Sequence, residues 1–362
     1  MKILALESSC DETAAAVVEA EGGRRFRVLS SIVASQIETH RLYGGVVPEI
    51  AGRAHIEAVS GITAEALQAA GLTPGELDLV AVTGHPGLIG ALLVGVNFAK
   101  SLASSYRLPL VEVDHIRGHL AGAYLTDTPP TPPYLGLVVS GGHTALYYAE
   151  SDAACRRIGG TRDDAMGESF DKVGRLIGIP YPAGAGFDAL AAEGFRAACG
   201  TDPGAPIDYE AYARVAAGRD PALHLPDPAL SDSLDFSFSG LKTAAVNLIH
   251  RYEQRGEELP RAAFAARYTY TAVQAVAAQL GRAMDLYPGC EPVVAGGVAA
   301  NSHLRAVLAA LCRRRGVRLH LLPPSLCGDN AAMIAAAGYY EYCAGHLATA
   351  ALNASAADGD GM

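Results

Sequence analysis

Basic charge is scarce in this 362-residue chain: 28 lysines and arginines stand against 38 aspartates and glutamates, a net charge of −10. That balance excludes a protein that coats nucleic acid non-specifically, which needs a broad basic surface. Two local clusters, Arg24, Arg25 and Arg27, and Arg313, Arg314, Arg315 and Arg318, read as solvated faces or as a restricted nucleic-acid contact. Paired cysteines are also missing. The seven cysteines are scattered with no Cys-x-x-Cys among them, which fits reduced thiols and excludes a disulfide framework. No apolar run is long enough to cross a bilayer, since the richest, ALLVGVNFAKSLA, is broken by Lys100. The opening MKILALESSCDET, with one lysine and a very short apolar run, does not read as a signal peptide, and a soluble cytoplasmic protein is expected. Charged residues of either sign make up only 18% of a chain that is half apolar, so a disordered or fibrous class is excluded and a sizeable core is expected.

The length suggests two domains. Ile3 to Leu6 is an apolar run ended by the polar ESSCDET, and a second run from Ala14 to Glu19 leads to the turn at Gly22 and Gly23. The same strand, loop, strand unit recurs at Tyr134 to Val139, with SGGHT as its loop and ALYYAE as its second strand. Each copy is followed by alternating elements. The first half predicts helices near 54–70 and 88–105 and strands at 78–82 and 109–113. The second predicts helices near 186–198, 239–254, 262–286 and 301–315 and strands at 292–295 and 317–321. Two α/β lobes facing each other across a cleft are expected: an N-terminal lobe over 1–127 and a C-terminal lobe over 128–346. The Pro-rich TDTPPTPPY marks their boundary. A helical and loop insertion is expected at about 160–236, a last helix at about 329–344 able to pack back on the N-terminal lobe, and a fraying tail over 347–362.

In VEVDHIRGHLAGAY, His115 and His119 follow a strand at the i, i+4 spacing that puts both imidazoles on one face of a helix. They could share a metal or be two ordinary core histidines. Their place at the C-terminal end of a strand, where ligands bind in open α/β sheets, favours the first reading. Asp329, at the start of a long apolar helix, is the best third ligand, though aspartate is also an ordinary N-cap there. Two histidines and a carboxylate suit iron or zinc about equally. The glycine-rich LVVSGGHT and VVAGGVAANSHLR each follow a strand and let backbone N–H groups approach an anion, while the Walker and dinucleotide patterns are absent. In TRDDAMGESFDKVGR, Glu168 and Lys172 read as an i, i+4 pair on a solvated face, or Asp171 as an acceptor for a ribose hydroxyl. HRLYGGVVPEIAGRAH, residues 40–55, reads as a loop that caps a site.

Taken together, LESSCDET, HRLYGGVVPEIAGRAH, HPGLIGALLVG, DHIRGH, LVVSGGHT, DDAMGESFDKVGRLIGIPYP, DFSFSGLKTA, GGVAANSHLR and CGDNAAMIA run in order from Lys2 to about Ala337. In these motifs the chain resembles the TsaD family of tRNA N6-adenosine threonylcarbamoyltransferases. The resemblance implies a two-lobed fold like that of actin, sugar kinases and the large heat-shock ATPases, with duplicated ribonuclease H-like lobes and a central cleft. It implies that His115, His119 and Asp329 bind one divalent metal per subunit, usually Fe2+, with Zn2+ as the second choice. Val138, Val139, Ser140, Gly141 and Gly142, with Asp171, Gly184, Asp188 and Asn301, then correspond to the site for threonylcarbamoyl-adenylate. The implied activity is transfer of the threonylcarbamoyl group to N6 of adenosine 37 in tRNAs reading ANN codons, forming t6A and releasing AMP. Asp11 and Glu12, at the tip of the first loop, are candidates for positioning the amine or taking its proton. The implied partners are tRNA, a non-catalytic TsaB-like paralogue and a small TsaE-like ATPase, with no membrane.

Three positions depart from the family pattern: His85 replaces a glycine in Thr83-Gly84-His85-Pro86-Gly87-Leu88, Gly328 a threonine, and Gly52 a serine. Other readings are a metal-dependent carbamoyltransferase with a small-molecule acceptor and a non-catalytic scaffold paralogue; the latter would be expected to have lost a metal ligand. A metalloprotease is disfavoured because HIRGH lacks the glutamate of His-Glu-x-x-His.

Overall fold

The computed structural model describes residues 1–202, 204–219 and 225–357. The first half builds a sheet from β1 (Lys2–Glu7), β2 (Glu12–Gly22), β3 (Arg25–Ser35), β4 (Leu79–His85) and β5 (Leu110–Asp114). The second half repeats it with β6 (Tyr134–Val139), β7 (Thr144–Ala149), β8 (Cys155–Gly160), β9 (Glu291–Ala295) and β10 (His320–Leu321). Strand order is β3-β2-β1-β4-β5 in one and β8-β7-β6-β9-β10 in the other, the same topology twice. In each, the first three strands are antiparallel and the last two join them in parallel. The central strands have apolar bodies, as strands covered on both faces require: every residue of β6 is buried, and all of β1 after Lys2, including the closing Glu7.

Helices α1 (Ile37–Arg41), α2 (Pro48–Ala70) and α3 (Ile89–Tyr106) belong to the first half. α2 starts earlier than the pattern near 54–70 suggests, because Pro48, which has no N–H to leave unpaired, opens its first turn. Between β8 and β9 lie α5 (Met166–Leu176), α6 (Gly184–Cys199), α7 (Tyr209–Arg219), α8 (Phe238–Arg255) and α9 (Arg261–Leu286); the first three fall within the segment expected as an insertion, and the last two beyond it. Residues 203 and 220–224 of that segment lie outside the described residues.

Of the remaining helices, two cross from half to half. α4 (His115–Ala121) leaves β5 of the first sheet and packs on β6 and β9 of the second. Its Leu120 fills the space over Gly136, where a Cβ would stand 2.7 Å from the leucine methyls. α10 (Ser302–Arg315) stays with the second sheet, beside α9, but α11 (Ala331–Cys343) returns to the first. Eight consecutive residues of α11, Ala331 to Gly338, are buried, so it is a central helix apolar on all sides rather than an amphipathic one. Gly338 permits this close seat, since a Cβ there would lie 2.6 Å from the Ala81 methyl and 3.1 Å from Val111.

The tail, expected to fray, is tied down as far as Ser355. Ala348 N–H donates to Leu110 O (2.8 Å), Lys100 Nζ to Leu352 O (2.8 Å) and Ser355 N–H to Gly84 O (2.9 Å), and Leu352 packs on the cluster around Val80 and Val96. Small apolar side chains, here alanines, let it lie flat; residues 358–362 are outside the described part.

Candidate metal and adenylate site

The two crossing helices start at the same place. α4 begins because Asp114, the last residue of β5, caps it: Asp114 Oδ1 accepts from Ile116 N (2.7 Å) and Arg117 N (3.1 Å). His115 and His119 therefore sit in its first turns, ring centroids 4.6 Å apart. Across from them, the N-cap of α11 is Asn330, whose Oδ1 accepts from Met333 N (3.0 Å). The capping role weighed for Asp329 thus falls to its neighbour. Its Oδ1 instead lies 3.3 Å from His119 Nε2 and 3.6 Å from His115 Nε2. One ligand atom from each of the three residues falls within 4.8 Å of the others, and no other such group of His, Cys, Asp or Glu occurs among the described residues.

Does this cluster fit a metal? His119 Nδ1 is buried without a hydrogen-bond partner, and Nε2 faces only Asp329 Oδ1 at 3.3 Å, outside good hydrogen-bond geometry. An imidazole left so in a polar pocket costs free energy unless something unseen engages it. Burial also lowers the His119 pKa, keeping the ring in the neutral form that ligates. Asp329 is held well below the usual carboxylate range: burial opposes this, but His115 and His119 outweigh it. A charged carboxylate and an orphaned neutral imidazole suit a divalent cation.

The composition gave no sign of Glu7, the residue behind the cluster. It ends β1, is fully buried, and accepts from Ser9 N (2.5 Å) and Thr83 Oγ1 (2.5 Å). Its Oε2 lies 3.0 Å from His115 Nδ1. An ionised carboxylate can only accept, so Nδ1 carries a hydrogen and Nε2 faces Asp329. Burial pushes the His115 pKa down, but Glu7 and Asp329 on its two sides raise it to about 9. The one available signal for Glu7 was a carboxylate closing an otherwise apolar strand, LALE.

Several of the expected residues lie near this point: Asp11 and Asp329 are close enough to act on Glu12, and Asp11 to act on Asp171. Val138 and Val139 are buried in β6, and the next residues turn back, Ser140 N donating to His143 O (2.7 Å) and His143 N to Ser140 Oγ (3.0 Å). Gly141 and Gly142 are exposed, with open space where a Cβ would point. The start of α5 presses on this turn, Gly167 N donating to Ser140 O (3.2 Å) and Glu168 N to Gly141 O (3.2 Å). The second glycine loop meets the first: Gly296, with φ +92°, has Val139 O where a Cβ would stand 2.4 Å away. His143, also missed, is near enough to help lower Asp329.

Asn301 caps α10, its Oδ1 accepting from Leu304 N (2.9 Å), and Asp188 Oδ1 accepts from Ser302 N (3.0 Å), so both stand at that helix N-terminus. Asp171 Oδ1 accepts from Ala183 N (2.7 Å), beside Gly184 at the start of α6. Burial raises the Asp171 pKa, and so does Asp11 facing it from the other half. Glu12 is raised to about 9, by burial first and then by the charges of Asp329 and Asp11. Lys172 pairs with Glu168 at 2.7 Å, the solvated-face reading of that segment.

None of the three departures replaces a ligand, though Gly328 immediately precedes Asp329 in the chain. His85 Nδ1 bonds Glu112 Oε1 (2.8 Å) and Nε2 lies 3.6 Å from Asp114 Oδ2, so the extra imidazole braces the cap of α4. Gly328 is exposed with open space beside it, and at Gly52 a Cβ would make only an ordinary contact with Gly90, 3.7 Å away.

Known proteins agree with this arrangement. Among solved structures, HypF of T. kodakarensis matches 95% of the chain and 48% of its own length with a TM-score of 0.54. Component A of the Acidaminococcus fermentans (R)-2-hydroxyglutaryl-CoA dehydratase matches 95% and 99% with a TM-score of 0.51. Both are 12% identical and speak for the two-lobed fold alone. The tRNA N6-adenosine threonylcarbamoyltransferase of an Anaeromyxobacter species is 47% identical over 99% of each chain, and that of Limosilactobacillus fermentum 46% over 97% of this chain and 94% of its own. The TsaD family model matches residues 27–336. With that span and those identities, the chain belongs to the TsaD family, the tRNA N6-adenosine threonylcarbamoyltransferases.

Proposed function

We propose that the cleft transfers a threonylcarbamoyl group from threonylcarbamoyl-adenylate to N6 of adenosine 37 in tRNAs that read ANN codons, forming t6A and releasing AMP. What supports the chemistry is the cluster of His115, His119 and Asp329, with His143 of the first glycine loop near enough to act on Asp329. In the reaction the amine nitrogen bonds to the carbamoyl carbon, that carbon's bond to the phosphate oxygen breaks, and the amine loses one proton.

The adenylate lies along Val138 to Gly142, whose exposed glycines leave backbone room for phosphate, with Asn301 and the N-terminus of α10 behind it. Asp171 and Asp188, each with a second carboxylate oxygen not used by the bonds above, accept from the ribose hydroxyls, and Gly184 keeps the wall beside them open. When bound by His115, His119 and Asp329, a divalent metal, iron before zinc, supplies Lewis acidity to an oxygen of the adenylate. Glu7 fixes the ring of His115 for that task. Asp11 accepts a hydrogen from the incoming amine. Glu12, raised to about 9 by burial first and then by Asp329 and Asp11, is neutral at pH 7 and donates a hydrogen bond; a cation on Asp329 would remove only the second of these causes.

The acceptor adenosine sits in an unpaired loop, so presenting it costs less than extruding a base from a duplex. The near-equal length of the relatives and the intact ligand set disfavour a small-molecule acceptor and a dead scaffold. The protein acts in the cytoplasm with a TsaB-like paralogue and a TsaE-like ATPase, and with no membrane; none of the described helices is long and apolar enough to span one. Reconstitution with threonylcarbamoyl-adenylate and unmodified tRNA, read by nucleoside mass, tests the reading. His119→Ala is expected to lose both the metal and t6A formation; full modification by that variant would sink it.

A further inference from the structure

The segment HRLYGGVV, conspicuous in the sequence, has no part in the chemistry above, yet it is a built structure. It springs from the catalytic loop, Gln36 N donating to Asp11 O (3.0 Å). Buried His40 ties its two ends, with Gln36 Oε1 3.1 Å from Nε2 and Val47 N donating to Nδ1 (3.3 Å). It then reaches across the cleft. Arg41 Nε donates to Tyr181 O (3.1 Å) on the other half, and Gly44, at φ +72°, lies so close under Arg175 that a Cβ would stand 2.9 Å from Nη1. Burial raises the Tyr181 phenol pKa, and Asp11 and Asp171 are near enough to raise it further, which puts the bridge beside those carboxylates. A loop pinned at both ends and on its far side nevertheless turns two large apolar side chains outward: Leu42 is 83% exposed and Tyr43 58%. Exposed cations flank them: Arg41, shared with Glu38, and Arg175, which has no ion pair among the described residues.

We propose that this tip is a docking platform for the anticodon loop, in which a base next to the target adenosine stacks on the Tyr43 ring while Arg41 and Arg175 meet the adjoining phosphates. The proposal rests on the tRNA-modifying reading and adds the surface that recognises the RNA. An adenosine reaching Asp11 from outside must bring its neighbours past this rim, and unpaired bases seek aromatic faces. A cationic rim on a protein of net charge −10 is also the complement that a phosphate backbone needs.

The test measures initial rates of t6A formation against tRNA concentration in the reconstituted complex. Tyr43→Ala is expected to raise the KM for tRNA about tenfold, and Tyr43→Phe, which keeps the ring, to restore it. A photo-crosslinking residue at position 43 should mark nucleotides of the anticodon loop. An unchanged KM in Tyr43→Ala, or a crosslink to a partner subunit in place of RNA, overturns the platform while leaving the transferase reading intact. A wild-type complex that makes no t6A overturns the transferase reading itself, and the platform with it.

Discussion

At the scale of single residues, the site is a set of charges placed where burial and neighbours decide their state. Glu12 is the clearest case. With its pKa raised from 4.5 to about 9 in the fold, the native state holds a proton there that the unfolded chain releases above pH 4.5. The sign follows: this group costs stability progressively as pH rises from about 4.5 to 9 and adds no further cost above. Glu12→Gln, neutral at every pH, is expected to raise the melting temperature of metal-free protein at pH 8 more than at pH 5. Equal shifts at the two pH values would mean that Glu12 is ionised at both. Glu7 shows why such residues escape a reading of the sequence. Nothing in LALESSCDET separates a carboxylate that orients an imidazole from one that ends a strand in water; the distinction exists only once Thr83 and His115, 76 and 108 positions away, close around it.

Helices α4 and α11 carry the ligands, and their seating decides whether three side chains from distant positions meet. Gly338 sets how closely α11 approaches β4 and β5, against neighbours on fixed backbone that cannot yield as a long flexible side chain would. Gly338→Ala is expected to destabilise the protein by roughly 1–3 kcal/mol and to weaken metal binding by displacing Asp329. Denaturant unfolding and a chelator competition read the two effects; metal affinity equal to wild type would show that the start of α11 is held independently of its body. Most elements were legible because their periodicity is strong: the duplicated strand, loop, strand units and β4, β5 and β9 stand close to their expected places, whereas β10 is only His320–Leu321 of the expected 317–321 and the strands β3 and β8 were not foreseen. The crossing of α4 and α11 onto opposite sheets was less so. α11 is nearly uniformly apolar, and a helix without a polar face does not say against which surface it lies; α4, with seven residues, is too short for its pattern to say so. The transfer of the cap from Asp329 to Asn330 is another one-residue distinction that only geometry makes.

Over the whole molecule, the two halves are joined away from the cleft as well as within it. Arg24 on the β2–β3 turn holds Asp152 on the β7–β8 turn through Nε at 2.9 Å and Nη2 at 3.0 Å, and Arg117 of α4 reaches Glu341 of α11 at 2.6 Å. The tail adds a third tie, along the outer edge of the first sheet from Leu110 to Gly84. Ending the chain at His346 removes three hydrogen bonds and uncovers apolar surface over Val80 and Val96, so a loss of roughly 1–3 kcal/mol is expected. An unchanged unfolding midpoint would show that the tail rests there without holding anything. The repeated topology has a consequence of its own. His115 follows the last strand of one sheet and Asp329 the last strand of the other, so the ligands come from matching corners of two copies. A homodimer of single lobes, meeting about a symmetry axis, would have to offer the same side chain from both partners there. Only a fused and diverged pair can set two imidazoles against one carboxylate.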